Sequence, residues 1–303
     1  MMDVGTIYHR SVEFFADRAN DVKEDQWGGP TPCTEWTVRD LTEHVTYEDL
    51  WTIPLMKGVS IEEVGNRYDG DVLGDDPIGS ALAAARAAIS TVATELPRGG
   101  IVQLSSGDTP KSEYAMQLAT DHLIHGWDLA VATGGDTRMD PHLVRAITDW
   151  FDQHEEQYRA GGAISTRRPL TGDLRHDLLA RFGRDPAWGP NHRALVGFNA
   201  AFGSGDVDAA LALVTDDIVF EGTSPAPDGE RHQGREAVRA AWSAVMDTPG
   251  MSFTEEESVV FGDRAVVSWR YAWGGDHAGY VRGVDVLRFR DGLVCEKLSY
   301  VKG

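Results

Sequence analysis

The sequence predicts two domains: an all-α helical bundle followed by an α+β domain with a curved antiparallel sheet. Three observations carry this. Residues 1 to about 185 repeat apolar side chains at helical spacing with no strong strand signal. The run Gly183 to Pro190 then breaks any period with turn-forming residues. Beyond it the period changes to two, most plainly where Val267, Trp269, Tyr271 and Trp273 alternate along one run. Helices first, and strands grouped afterwards, indicate separate domains. We bound them at 1–188 and 192–303.

The first helix is expected over Gly5 to Lys23, with Ile7, Val12, Phe15 and Ala19 on one side. A Gly-Pro-rich connector follows, Trp27 to Pro32. The stretch Thr37 to Asp40 has the capping-box form that opens a helix. That helix carries Leu41, His44, Val45, Glu48 and Trp51 near one face and ends near Pro54. A third, alanine-rich helix spans Ile78 to Leu96. A fourth runs from Ser112 to Thr133 and stops at Gly134-Gly135. A fifth starts at Pro141 and continues to Tyr158. Ala160 to Gly172 reads as a loop, and a short helix follows over Asp173 to Phe182. Four or five amphipathic helices of this kind make an antiparallel bundle. In the second half, Arg193 to Phe202, Asp206 to Val214 and Glu236 to Met246 read as helices. Strands are expected over Arg264 to Trp273, Tyr280 to Arg290 and Leu293 to Lys302, the last two joined by an Asp291-Gly292 turn.

The chain has 303 residues, enough for two cores, and a formal net charge of −20. That charge disfavours nucleic acid and anionic membrane as partners. Cys33 and Cys295 are its only cysteines. One pair makes no disulfide framework and fits a reducing compartment. No signal-peptide pattern and no bilayer-length apolar run is found, so a cytoplasmic protein is expected. Phosphate-binding glycine loops, His-Glu-x-x-His and Gly-x-Ser-x-Gly are absent from the sequence.

Two constellations carry chemistry. Asp121 and His125 are four residues apart, hence one turn apart on one helix face, in a row with Leu118 and Leu129. If His44 meets them from a neighbouring helix, the three make a two-histidine, one-carboxylate metal site. The plain alternative is an ion pair within the helix. Glu48, one turn beyond His44, is either a fourth ligand, a base, or simply a solvated carboxylate. His122 points about 100° away and reads as a supporting or surface group. Cys33 precedes a helix start, a position that lowers thiol pKa, but also reads as a small packing residue. In the second domain Asp285 shares a strand face with Val281, Gly283, Leu287 and Phe289. A carboxylate in apolar surroundings has a raised pKa and serves as acid or base. The alternative is pairing with an arginine or lysine. Trp269 and Tyr271 line a substrate cavity or fill a core.

Trp27 to Leu41 followed by His44, the stretch His125 to Ala130, and Leu179 to Pro186 resemble the mycothiol-dependent maleylpyruvate isomerases, metal-binding members of the DinB-like four-helix bundles. The resemblance covers about residues 5 to 188. It implies metal ligands at His44, Asp121 and His125, with a divalent metal, zinc by expectation, and mycothiol or another low-molecular-weight thiol as cosubstrate. In that family the carboxylate ligand is glutamate, one methylene longer than Asp121. Gly234 to Val238, Tyr280 to Val286, Asp291-Gly292, Glu296 and Tyr300 to Gly303 resemble the SnoaL-like branch of the NTF2-like superfamily, over about residues 192 to 303. This implies an NTF2-like cone enclosing a pocket, often in a homodimer. Asp285 matches the proton-transfer position, with Glu221, His232 and Glu296 as polar liners.

The expected function is a metal-dependent, thiol-using isomerase or transferase acting on a small electrophilic metabolite. Two alternatives stand beside it. One is isomerase, cyclase or hydratase chemistry at Asp285. The other is a non-enzymatic ligand-binding or dimerising protein with a vestigial metal site.

Overall fold

The computed structural model describes residues 2–162, 164–248, 250–275 and 278–302. The chain divides into two compact units, Met1–Pro186 and Ala187–Gly303.

The first unit is built on four long helices: α1 Val4–Asn20, α2 Val38–Met56, α4 Pro77–Glu95 and α5 Lys111–Thr133, with the short α3 Ile61–Val64 between α2 and α4. Each long helix packs on two of the others: α1 on α4 and α5, α2 on α4 and α5. The starts are set by side chains that satisfy the free amides of the first turn. Asp3 accepts from the Thr6 amide, and Asp76 accepts from the Gly79 amide ahead of Pro77. The capping box at Thr37 forms: Thr37 Oγ1 accepts from the Asp40 amide and Asp40 returns the bond to the Thr37 amide. Ile7, Val12, Phe15 and Ala19 are all buried, as their spacing requires. Helix α5 is buried nearly all round, and ends at Gly134 in the left-handed conformation (φ 76°).

Three expectations for this unit are corrected. A two-stranded hairpin, β1 Ile101–Leu104 and β2 Gly107–Pro110, stands where no strand was expected. Four-residue strands are too short to show a period, and the chain turns at Gly107 with φ 115°, open to glycine alone. The fifth helix is two, α6 Pro141–Phe151 and α7 Glu155–Ala160, because the Asp152 amide bonds back to Thr148 and Trp150 and closes the first. Helix α7 therefore reaches the start of the segment read as a loop. The short helix α8 spans Leu174–Arg181.

The second unit carries α9 Pro190–Ser204, α10 Val207–Ala212, β3 Val214–Glu221, β4 Arg231–Gln233, α11 Arg235–Met246, β5 Ser252–Phe261, β6 Arg264–Trp273, β7 Gly279–Arg290 and β8 Leu293–Val301. Its six-stranded sheet has the order β4-β3-β8-β7-β6-β5, antiparallel except where β3 runs parallel to β8. Asp291 and Gly292 both take positive φ (54° and 74°), which joins β7 to β8 through the expected two-residue turn. Phe198, Phe202, Trp242, Phe220, Trp269 and Leu287 fill the core between helices and sheet. Gly283 faces Trp269 across β6 and β7, and a Cβ there would lie 2.3 Å from the indole. Only glycine lets that ring lie flat on the neighbouring strand.

Candidate metal centre

Helices α2 and α5 bring His44, Asp121 and His125 together. Asp121 Oδ2 lies 3.4 Å from His44 Nε2, and Asp121 Oδ1 lies 3.3 Å from His125 Nε2. One donor atom from each residue falls within 4.8 Å of the others. These separations exceed the 2.7–2.9 Å of a charge-assisted hydrogen bond. They are short enough for a single cation, bonded at about 2.0–2.1 Å, to reach the three side chains after small adjustments. Asp121 Oδ2 is buried and has no hydrogen-bond partner. A buried carboxylate oxygen left so is costly, and a cation removes the cost. The donor set therefore fits a metal ion.

Electrostatics agree. Burial would raise the Asp121 carboxyl, but the imidazoles of His125 and His44 outweigh it and hold Asp121 well below the usual carboxylate range. Burial would likewise lower His125, yet Asp121, Asp128 and Cys33 together hold it well above 6.5. Without a metal, the proton on His125 supplies positive charge beside the carboxylate.

A second cluster shares His125. Cys33, His125 and Asp128 also bring ligand atoms within 4.8 Å of one another. Here the cation is already present. Arg184 Nη2 donates to Asp128 Oδ2 at 2.7 Å and to Cys33 Sγ at 3.1 Å, and its Nε reaches both carboxylate oxygens at 3.2 Å. Asp128 is fully buried, and despite that burial Arg184 and His125 keep its carboxyl below the usual range. A metal ion would have to displace the guanidinium, so the cluster at His44 is the one left for it.

The surroundings come from sequence features read only in part. Trp36 lies over both imidazoles, with ring centroids 4.7 Å from His44 and 5.6 Å from His125. Its connector is pinned where Thr31 Oγ1 donates to the Cys33 and Trp36 carbonyls. Cys33 is thus more than a packing residue: it faces the centre. Glu48 is half-buried rather than solvated; burial and the nearby Asp121 charge raise its carboxyl above the ordinary value. It falls outside the ligand trio. His122 is not at the surface but fully buried, with Nδ1 2.7 Å from the Leu118 carbonyl oxygen and Nε2 3.2 Å from Asp49. Sequence alone gives Asp128 and Arg184 no role. The three-residue step from His125 to Asp128 is a same-face signal that points to the first. Nothing local points to Arg184, 56 residues away from Asp128 in the chain.

Of these groups, Cys33, Trp36, His44, Glu48, Asp121, His125 and Arg184 open on a cavity of about 830 Å³, lined also by Pro32, Tyr114, Gln117, Trp150, Tyr158 and Phe182. That volume lies in the usual range of small-molecule sites.

In the second unit Asp285 is buried, but its surroundings are not apolar. Lys297 Nζ lies 2.7 Å from Oδ2, and Ser299 Oγ donates to Oδ1 at 2.7 Å while accepting from Lys297 at 2.7 Å. The lysine alternative holds. Trp269 belongs to the packed core, Tyr271 is half-buried and donates its hydroxyl to the Val245 carbonyl, and Glu221 pairs with Arg231 at 3.1 Å. His232 stacks on Phe220, and Glu296 sits 3.9 Å from Arg288. Glu221 and Glu296 thus have arginine partners of their own, while Trp269 sits diagonally across β6 from Asp285.

The family model described as mycothiol maleylpyruvate isomerase N-terminal domain matches residues 8–130, and the one described as SnoaL-like domain matches residues 195–297. An uncharacterized protein of Mycobacterium tuberculosis (strain ATCC 25618 / H37Rv) is 36% identical over 147 residues, which are 47% of this chain and 74% of that protein. Its counterpart in strain CDC 1551 / Oshkosh gives the same figures. An NTF2-like protein from Mesorhizobium loti, solved as a crystal structure, is 43% identical, covers 38% of this chain and 92% of its own, and has a TM-score of 0.35. Matched in both halves, the chain belongs to the mycothiol maleylpyruvate isomerase N-terminal domain family and carries a SnoaL-like, NTF2-like domain as its second unit.

Proposed function

We propose that the chain is a metal-dependent enzyme that uses a low-molecular-weight thiol to isomerise, or transfer the thiol to, a small electrophilic metabolite. One observation carries this reading: two imidazoles and a carboxylate, with ligand atoms within 4.8 Å of one another, open on a cavity large enough for two small molecules. Its family membership supports a mycothiol-type cosubstrate. We assign zinc, since two imidazoles and one carboxylate suit it without redox chemistry and leave a position open. We also propose that the first unit is a DinB-like four-helix bundle.

His44, Asp121 and His125 would hold the ion. When bound, it favours thiolate over thiol at neutral pH. The chain's residues do the rest. Trp36, Phe151 and Phe182 keep water from the thiol and its acceptor. Glu48, whose raised carboxyl lines the same cavity, holds a proton for the carbon next to the one that binds the thiol, giving it as the thiol adds and taking it back as the thiol leaves. Asp285 is less suited to proton transfer, because Lys297 and Ser299 occupy both of its oxygens. We assign the second unit to substrate binding and dimerisation. Exposed Val259, Phe261, Tyr280, Val284, Tyr300 and Val301 support a homodimer through its sheet. The free Cys33 and Cys295 support a cytoplasmic setting. Among the described residues no helix is long and apolar enough to cross a membrane.

The test is metal content of the purified protein, followed by isomerisation of alkenes conjugated to a carbonyl, with and without added thiol. Expected are one zinc per chain, thiol-dependent turnover, and loss of both metal and turnover in His125→Ala. Turnover that needs neither metal nor thiol, and that Asp285→Asn abolishes, would move the chemistry to the second unit.

A further inference from the structure

Metal-binding histidines are held in place by what their other nitrogen touches. In this chain His125 turns Nε2 toward Asp121 and Nδ1 toward Asp128, whose Oδ2 lies 3.1 Å away. Asp128 has little freedom of its own. It is fully buried, and Arg184 grips it with three contacts of 2.7, 3.2 and 3.2 Å. Arg184 is fixed in turn, with Nη1 donating to the Phe182 carbonyl at 3.0 Å and Nη2 donating to Cys33 Sγ. The chain there is tight. A Cβ on Gly183 would lie 2.6 Å from the Ser165 Cβ, and Gly183 takes a φ of 75°. Arg184 lies well beyond the 8–130 match that contains the three candidate ligands.

Resting on the metal reading above, we propose that Arg184 is a positioning residue for the metal centre. Acting through Asp128, it fixes the His125 ring so that Nε2 faces the point shared with His44 and Asp121. The segment after α8 is then part of the centre although it supplies no ligand. The guanidinium fork suits this task because it holds both carboxylate oxygens at once, which a lysine ammonium does not. It also balances the Asp128 charge, so that the carboxylate accepts from Nδ1 without drawing the ion toward itself.

Zinc affinity of the full-length protein, measured by competition with a chromophoric chelator, tests this directly. Arg184→Gln should weaken zinc binding about 10- to 100-fold, the usual cost of losing such a support. Arg184→Lys should fall between it and the unaltered protein. Asp128→Asn should weaken binding similarly, and Arg184→Gln added to Asp128→Asn should cost little more, since both act along one path. Far-UV circular dichroism checks that each variant is folded; if Arg184→Gln is not, Arg184→Lys carries the test, and unchanged affinity in it overturns the proposal. Unaltered zinc affinity in Arg184→Gln overturns it too, as does full additivity in the double variant. The two readings separate cleanly. If the parent protein binds no zinc, both fall. If it binds zinc and His125→Ala does not, while Arg184→Gln binds as well as the parent, only the positioning role falls.

Discussion

At the scale of single residues, protons and a metal compete for the same imidazole. His125 is held protonated well above 6.5 by Asp121 and its neighbours, whereas zinc needs its neutral form. Apparent zinc affinity should therefore rise with pH across pH 6 to 8, by up to about tenfold per unit for each proton released. Chelator competition at several pH values checks this, and a flat profile contradicts it. Stability of the metal-free protein follows the opposite logic at its alkaline side. The folded pKa of His125 is raised, so its contribution is complete below about 6.5 and is lost as pH climbs through the folded value. His122, also raised once Asp49 has overcome its burial, acts in the same direction. Asp121 is depressed, so its contribution is present above about 3.8 and is lost as pH falls through the folded value. Urea midpoints of the metal-free protein should accordingly decline on both sides of a plateau. In the second unit the Asp285–Lys297 pair makes a different statement. Asp285→Ala would strand a buried ammonium and should cost about 3–5 kcal/mol. Asp285→Leu combined with Lys297→Met should cost much less, because removing both charges removes the stranded one; denaturant titration distinguishes the two, and equal losses would contradict the account.

At the scale of elements, the centre depends on how closely α1 and α5 approach. Gly126 follows His125, and a Cβ on it would lie 2.5 Å from the Phe14 ring and 3.3 Å from the Phe15 Cα. Helix propensity alone favours alanine there by about 1 kcal/mol. Overpacking costs about 1–3 kcal/mol, and the Phe15 contact is backbone that cannot swing away. Gly126→Ala should thus destabilise the first unit despite the better helix former; a raised melting temperature would show that α1 has room to give. The entry to α2 has a milder role, and Thr37→Ala should cost about 1 kcal/mol through its lost cap. These features also mark what was legible in the sequence. Asp121 and His125 could be paired by spacing, and the capping box at Thr37 fixed where α2 begins, hence which face His44 takes. Asp285 was placed on the right face of β7, but its partner was hidden by a bulge. Counting back from the Asp291-Gly292 turn sets it opposite Leu298, whereas the register shifts between Arg288 and Phe289, so that Asp285 faces Ser299 and, diagonally, Lys297. Arg184 was hidden more deeply, since no local period links it to Asp128 across 56 residues.

At the scale of the whole molecule, the two units have separate cores and separate buried charge clusters. Binding that occurs only in a folded unit stabilises that unit by mass action, about 2.7 kcal/mol when zinc is present at 100 times its dissociation constant. The expected outcome in scanning calorimetry is therefore selective. Zinc should raise the transition of the first unit, and Asp285→Ala should lower that of the second, with neither perturbation moving the other. For a unit of 150–250 residues the zinc effect corresponds to a shift of about 5–11 °C. The control is His125→Ala, in which zinc should move neither transition while Asp285→Ala still lowers the second. A single transition displaced equally by zinc and by Asp285→Ala would mean that the units unfold as one body. In that case the metal centre would contribute to the stability of the SnoaL-like unit as well as to its own.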